Sequence, residues 1–160
     1  MPDRHLFLQL GTASSYVGQL LDRELEPIGL PAYLLGLLTH VRDHEPVTPS
    51  KISAASGVSL TTLRDNIQRL VDRGLVRRVK NSEDGRSYLV VLTAAGRRAI
   101  NAADPALLHA YLAVERRLPQ PLEDYQQMLG EVIEALAGAL SRPARRAPRA
   151  TPSRRASGRG

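Results

Sequence analysis

Seven residues within eleven positions, Ser59, Thr61, Thr62, Arg64, Asp65, Gln68 and Arg69, have the types and spacing to read the edges of DNA bases. On a helix, positions 61, 64, 65 and 68 return to one face. A guanidinium there pairs with guanine N7 and O6, a threonine methyl meets the thymine methyl, and a carboxylate accepts from cytosine N4. Gln68 and Arg69 stand one turn further on, within reach of bases or phosphates. On an isolated helix the same residues would be a solvated face with i,i+4 pairs.

A second polar group follows closely. Arg77, Arg78 and Lys80 precede the charged segment Asn81-Ser82-Glu83-Asp84-Gly85-Arg86. An arginine at a hairpin tip can enter the minor groove, where narrow A·T stretches deepen the negative potential. Asp84 can orient Arg86 by an ion pair or serve in the turn itself. The cations beside the tip suit phosphate contacts, which supply most of the affinity of proteins for DNA.

Such groups need rigid supports, and the chain supplies them in order. Thr48 as N-cap and Pro49 as first residue predict a short helix to about Ala55. Ser56-Gly57-Val58 is a tight turn, with Gly57 free to adopt a left-handed conformation. Ser59 caps a second helix over about 60–73, whose inward face is Leu63, Ile67, Leu70 and Val71, and Gly74 closes it. Strands are predicted over 75–80 and 87–93, with Tyr88, Val90 and Leu92 on one face. This is the order of a winged helix-turn-helix.

Helices are expected on both sides. Leu6, Leu10, Ala13, Val17, Leu20, Leu21 and Leu25 mark an amphipathic helix over about 5–26, ended by Pro27 and Gly29. The next, over about 31–43, is apolar nearly all round and reads as a buried central helix. Thr93 caps a helix reaching about Arg117, with a kink or restart expected at Asp104-Pro105. A last helix over 122–140 carries Leu122, Tyr125, Met128, Leu129, Val132, Ile133, Leu136 and Leu140 at helical spacing. From Ser141 onward Pro, Arg, Ala and Ser dominate, and disorder is expected.

The charge distribution separates these parts. The net charge of the 160 residues is +6. Residues 48–98 carry ten Lys/Arg against four Asp/Glu, and residues 142–160 carry seven Arg and no acid. Residues 1–47 and 99–141 are net acidic. A basic segment between acidic flanks is the electrostatic footprint of a DNA reader joined to an assembly region. Aromatics are only 4%, so the core must be aliphatic. With no cysteine, disulfides, Cys-based zinc sites and thiol redox sensing are excluded within the chain. There is no membrane-length apolar run and no signal-peptide pattern at Met1-Pro2-Asp3-Arg4-His5, so a cytoplasmic location is expected.

Other candidates are weaker. Tyr16, Tyr33 and His40, with His5 and Arg42, could line a pocket for an aromatic acid, which needs apolar walls and a few polar anchors. The first two tyrosines also suit a core or an interface. His40 and His44 are four apart on a helix, a spacing compatible with zinc, with Asp43 and Glu45 nearby. A polar helix end is the simpler reading, so neither a metal nor a cofactor is expected. No Gly-rich phosphate loop, Ser-centred nucleophile motif or clustered carboxylate pair supports an enzyme.

The segments Thr48-Pro49-Ser50-Lys51-Ile52, Gly57-Val58-Ser59 and Leu70-Val71-Asp72-Arg73-Gly74-Leu75-Val76 together resemble the MarR (multiple antibiotic resistance regulator) family of winged-helix transcription factors. Asn81-Ser82-Glu83-Asp84-Gly85-Arg86 and Leu92-Thr93-Ala94-Ala95-Gly96 complete the resemblance, which covers about 5–140. It implies a mainly α fold with a β-hairpin wing and an obligate homodimer. Residues 5–30 and 99–140 would form the helical dimerisation region, 31–98 the DNA-binding domain and 141–160 a basic tail. It further implies repression at a palindromic operator, relieved by a small, often aromatic, ligand, with Arg86 as the wing arginine and Asp84 its partner. Asp65 and Asn66 depart from residues commonly basic and apolar in that family. A different reading remains open: an architectural protein that coats DNA with little sequence preference through its Arg-rich tail.

Overall fold

The computed structural model describes residues 5–140; the segment from Ser141 onward, expected to be disordered, lies outside the described residues. Six helices and two strands follow in the order α1 (His5–Leu25), α2 (Ala32–His44), α3 (Pro49–Ser56), α4 (Leu60–Asp72), β1 (Val76–Lys80), β2 (Tyr88–Leu92), α5 (Ala94–Glu115) and α6 (Leu122–Leu140). A 3-10 turn, Glu26–Ile28, joins α1 to α2 around Pro27. The chain divides into two units, residues 1–121 and 122–160.

In the first unit one aliphatic core joins every element. Leu34, Leu35, Leu37, Leu38 and Val41 make α2 its centre, as the all-round apolar pattern of that helix predicts. Leu25, Ile52, Leu63, Ile67, Leu70, Val76, Val90, Leu92, Ile100 and Ala103 close around it. Much of α1 is left out: Leu25 is its one buried residue, while Leu6, Phe7, Leu8, Tyr16 and Val17 are exposed. His109 Nδ1 lies 2.7 Å from Glu24 Oε2, linking α5 to α1. The second unit is α6 alone among the described residues; Met128, Leu129, Ile133, Leu136 and Leu140 are exposed on it.

Local signals act where the sequence places them. Thr48 Oγ1 accepts from the Lys51 amide, with Pro49 the first helical residue. Gly74 adopts φ 69°, and its amide with that of Leu75 closes α4 on the carbonyls of Val71 and Leu70. Thr93 Oγ1 accepts from the Gly96 amide to cap α5 and donates to the Gly74 carbonyl, so one hydroxyl joins the ends of α4 and α5. α5 then runs unbroken through Pro105 to Glu115, so the expected restart at Asp104-Pro105 does not occur. Pro105 is exposed, whereas Ile100, Ala103 and Ala110 are buried on either side of it. Burial of that continuous face offsets the roughly 3 kcal/mol cost of an interior proline.

β1 and β2 pair antiparallel, with Val76 opposite Leu92 and Lys80 opposite Tyr88. Val47 adds a bridge on the far side of β2, exchanging both backbone hydrogen bonds with Val90. The connector before α3 is thereby stitched to the hairpin. Glu45 completes the stitch: its Oε2 accepts the Leu92 amide at 2.6 Å and its Oε1 pairs with Arg97 of α5.

Candidate nucleic-acid interface

The outer face of α4 carries Thr61, Thr62, Arg64, Asp65, Gln68 and Arg69, all exposed, while Leu63, Ile67 and Leu70 hold its inner face in the core. The face is thus built by the helical period itself: three buried anchors fix which residues look outward. These outward residues differ in what they are free to do. Ser59 Oγ accepts from the Thr62 amide (3.2 Å) and shares a hydrogen bond with Thr62 Oγ1 (2.8 Å), so both hydroxyls serve the N-cap. Gln68 is bonded at both ends of its amide: Oε1 accepts from Arg78 Nη2 and Nε2 donates to Asp72 Oδ1, each at 2.7 Å. Arg69 donates to the Tyr33 hydroxyl at 2.8 Å, tying α4 to α2. Among the described residues the side chains of Thr61, Arg64 and Asp65 have no hydrogen bond or ion pair.

The wing divides the same way. Asp84 takes the turn option: its Oδ1 accepts the Arg86 amide at 3.0 Å, and its carbonyl accepts the Ser87 amide. Asn81, almost fully buried, donates to Ser87 Oγ and accepts the Glu83 amide. This short network fixes the tip while leaving the side chains of Arg86, Arg77 and Lys80 exposed and unbonded. Arg78, by contrast, lies over the Tyr88 ring, 4.7 Å from its centroid. An open groove of about 760 Å³ separates the start of α3 from the wing loop, lined by Thr48, Ser50 and Lys51 on one side and Asn81, Ser82 and Asp84 on the other. Arg64, Arg77, Lys80 and Arg86, unpaired among the described residues, thus stand on two rigid supports, suited to phosphates and base edges.

Sequence reasoning named Asn81 and Tyr88 only as members of the wing segment and strand, and Glu45 only beside the candidate zinc pair; it gave none of them these supporting roles. For Tyr88 a signal exists: residues alternate faces along a strand, so 78 and 80 share a face with 88, 90 and 92. For Asn81 the signal is its place at the end of β1, where a side chain must satisfy the turn amides. Glu45 offers none, because its partners are 47 and 52 residues away.

The candidate ligand residues separate. Tyr33 and His40 share a cleft of about 290 Å³ with Leu37, Ile52, Leu63 and Asn66. Tyr16 lies on α1, exposed, and is not among the residues lining it. Burial, and then the neighbouring His44, lower the pKa of His40 from the ordinary 6.5, with Asp43 opposing. The His40 and His44 rings stack at 4.4 Å, Asp43 pairs with Arg42, and Glu45 is occupied as described. Among the described residues no three His, Cys, Asp or Glu are grouped to hold a metal, and no helix is long and apolar enough to cross a membrane.

Residues 30–87 match the model of the MarR family. The multiple antibiotic resistance protein MarR of Escherichia coli (strain K12) is 33% identical over 78 residues, 49% of this chain. The chain spans about half the length of that curated relative, 54%. Among solved structures, a mutant of E. coli MarR complexed with operator DNA superposes with TM-score 0.75 at 23% identity, over 81% of this chain and 94% of that one. CouR from Rhodococcus jostii RHA1, bound to p-coumaroyl-CoA, superposes with TM-score 0.69 at 20% identity, over 82% and 91%. At these identities the structural likenesses show the fold.

Proposed function

We propose that this chain, whose residues 30–87 match the MarR family model, is a regulator of that family and acts as a homodimeric, sequence-specific DNA-binding transcription regulator. The observation that carries this reading is the placement of Arg64 on α4 and of Arg77, Lys80 and Arg86 on the wing, exposed and unbonded on supports fixed by the core. One helix in the major groove with a wing tip beside it is what these positions suit. Exposed apolar residues of α1, with Leu108 and Val114 of α5, and separately those of α6, are faces a second copy would cover. A two-fold dimer would read a palindrome, with half-site centres about 10 bp apart.

Its action would be repression relieved by a small ligand, in line with the E. coli relative solved with operator DNA and the Rhodococcus relative solved with p-coumaroyl-CoA. The cleft between Tyr33 and His40, apolar with a few polar groups, suits a small aromatic ligand.

Selection of bound sites from a random duplex library with the full chain, at about 150 mM salt, tests the reading. A recovered palindrome supports it. Binding without a motif would favour the architectural reading, in which the seven arginines of residues 142–160 dominate. Absence of binding would overturn both.

A further inference from the structure

We propose that Gln68 and Arg78 are positioning residues, a strut that sets the angle between α4 and the wing, rather than contacts to DNA. The strut runs from α4 across the hairpin. Asp72 Oδ1 accepts from Gln68 Nε2, Gln68 Oε1 accepts from Arg78 Nη2, and the Arg78 guanidinium lies on Tyr88. Tyr88 is itself packed, half-buried, against the core. The strut therefore ends on the core at one side and on the helix carrying Arg64 at the other.

The chemistry decides against base reading by Gln68. A glutamine that reads adenine needs its amide oxygen and nitrogen together, for N6 and N7. Here both are held at 2.7 Å by groups of this chain. Arg78 is similarly committed, giving Nη2 to Gln68 and its planar face to an aromatic ring, uses for which a guanidinium is suited. Arg64, Arg77, Lys80 and Arg86 keep all their donors for a partner.

The mechanical need is plain. A two-stranded ribbon is marginally stable by itself and twists readily. Besides the turn at Gly74 and the core that Ile67 and Leu70 share with Val76, Val90 and Leu92, the hairpin is hydrogen-bonded to α4 through Arg78 at mid-strand, on its exposed side. On the opposite flank, Arg69 fixes α4 to Tyr33. A dimer reading two half-sites needs helix and tip to arrive together, so freedom at this joint lowers affinity without removing a contact. The geometry stands by itself; only its consequence for DNA rests on the regulator reading.

The absence of cysteine makes the joint measurable. Spin labels at Asp65→Cys and Glu83→Cys, in chains diluted with unlabelled protein, report the helix-to-tip distance by pulsed dipolar spectroscopy. The distribution is expected to be narrow in otherwise native protein and in Gln68→Glu, which keeps an acceptor for Arg78. It should broaden in Gln68→Ala and in Arg78→Ala, and the double variant should be no broader than either. Unchanged widths in both single variants would overturn the strut. With the duplex recovered by selection, Gln68→Ala and Arg78→Ala should each weaken binding about 3–10-fold at an unchanged salt slope. A slope smaller by about one for Arg78→Ala, with Gln68→Ala unaffected, would make Arg78 a phosphate contact and overturn the proposal. If the native chain binds no duplex, the regulator reading falls while the distance widths still decide the strut.

Discussion

Gly96→Ala separates packing from propensity most sharply in this chain. Within a helix, alanine is favoured over glycine by up to about 1 kcal/mol, so local reasoning predicts a gain. Yet a Cβ at position 96 would stand 2.1 Å from the Leu75 carbonyl oxygen and 3.2 Å from Leu92 Cδ2. A carbon-to-oxygen contact needs about 3.3 Å, so the backbone must open by about 1 Å. The Leu75 carbonyl is not free to retreat, because it accepts the Thr93 amide at 3.1 Å beside the Thr93 hydroxyl, which donates to the neighbouring Gly74 carbonyl at 2.7 Å. Overpacking costs about 1–3 kcal/mol, and weakening that amide hydrogen bond adds about 0.5–1.5 kcal/mol. The net expectation is destabilisation by about 2–4 kcal/mol. Urea unfolding followed by circular dichroism at fixed protein concentration measures it, as a midpoint lowered by about 1–2 M. Gly36→Ala is the matched control: it lies inside α2 with nothing within 4 Å of a new Cβ, and should gain about 0.5–1 kcal/mol. A Gly96→Ala midpoint at or above the native one, with Gly36→Ala behaving as expected, would refute the steric argument.

Arg86→Ala should weaken binding to the selected duplex by about 1–3 kcal/mol with no change in melting temperature; an unchanged titration would remove Arg86 from the contact set. Glu45→Ala strips the acceptor from the part-buried Leu92 amide and should cost about 1–3 kcal/mol in urea. Glu45→Gln, which keeps an acceptor for that amide and loses chiefly the pairing with half-exposed Arg97, should cost under about 1 kcal/mol. The depressed pKa of His40 means the unfolded chain takes up its proton first, so its contribution is complete above 6.5 and is lost as the pH falls through the lower folded value. Melting temperatures from pH 8 to 5 should show this acid loss in the native chain and a shallower one in His40→Asn; equal slopes would show that other groups carry it.

The parts of the fold written in neighbouring residues were legible. Thr48 with Pro49, Ser59, Gly74 and Thr93 act through bonds spanning a few positions, so spacing sufficed to place α3, α4 and the start of α5. The hairpin was legible because alternation along β2 is local too. The restart expected at Pro105 does not occur, because its penalty is local while the burial of Ile100, Ala103 and Ala110 that outweighs it is tertiary. At the candidate site, types and spacing named the outward face of α4 but could not say which groups were already bonded. Gln68 meets Arg78 across ten positions and Arg69 meets Tyr33 across thirty-six. Those pairings exist only once α2, α4 and β1 have packed.

Val47 covers one edge of β2, but β1 is left with an open edge. A strand with unpaired amides and carbonyls invites a strand from another molecule, and lysine or arginine along it discourages that approach. Arg77, Arg78 and Lys80 occupy three of the five positions of β1. Arg77 and Lys80, which suit the wing to a polyanion, and Arg78, which braces it, therefore also guard that edge against aggregation when no polyanion is bound. An inactive control made by replacing all three with apolar residues would confuse lost affinity with lost solubility; substitution by glutamate removes the cations and keeps the edge guarded.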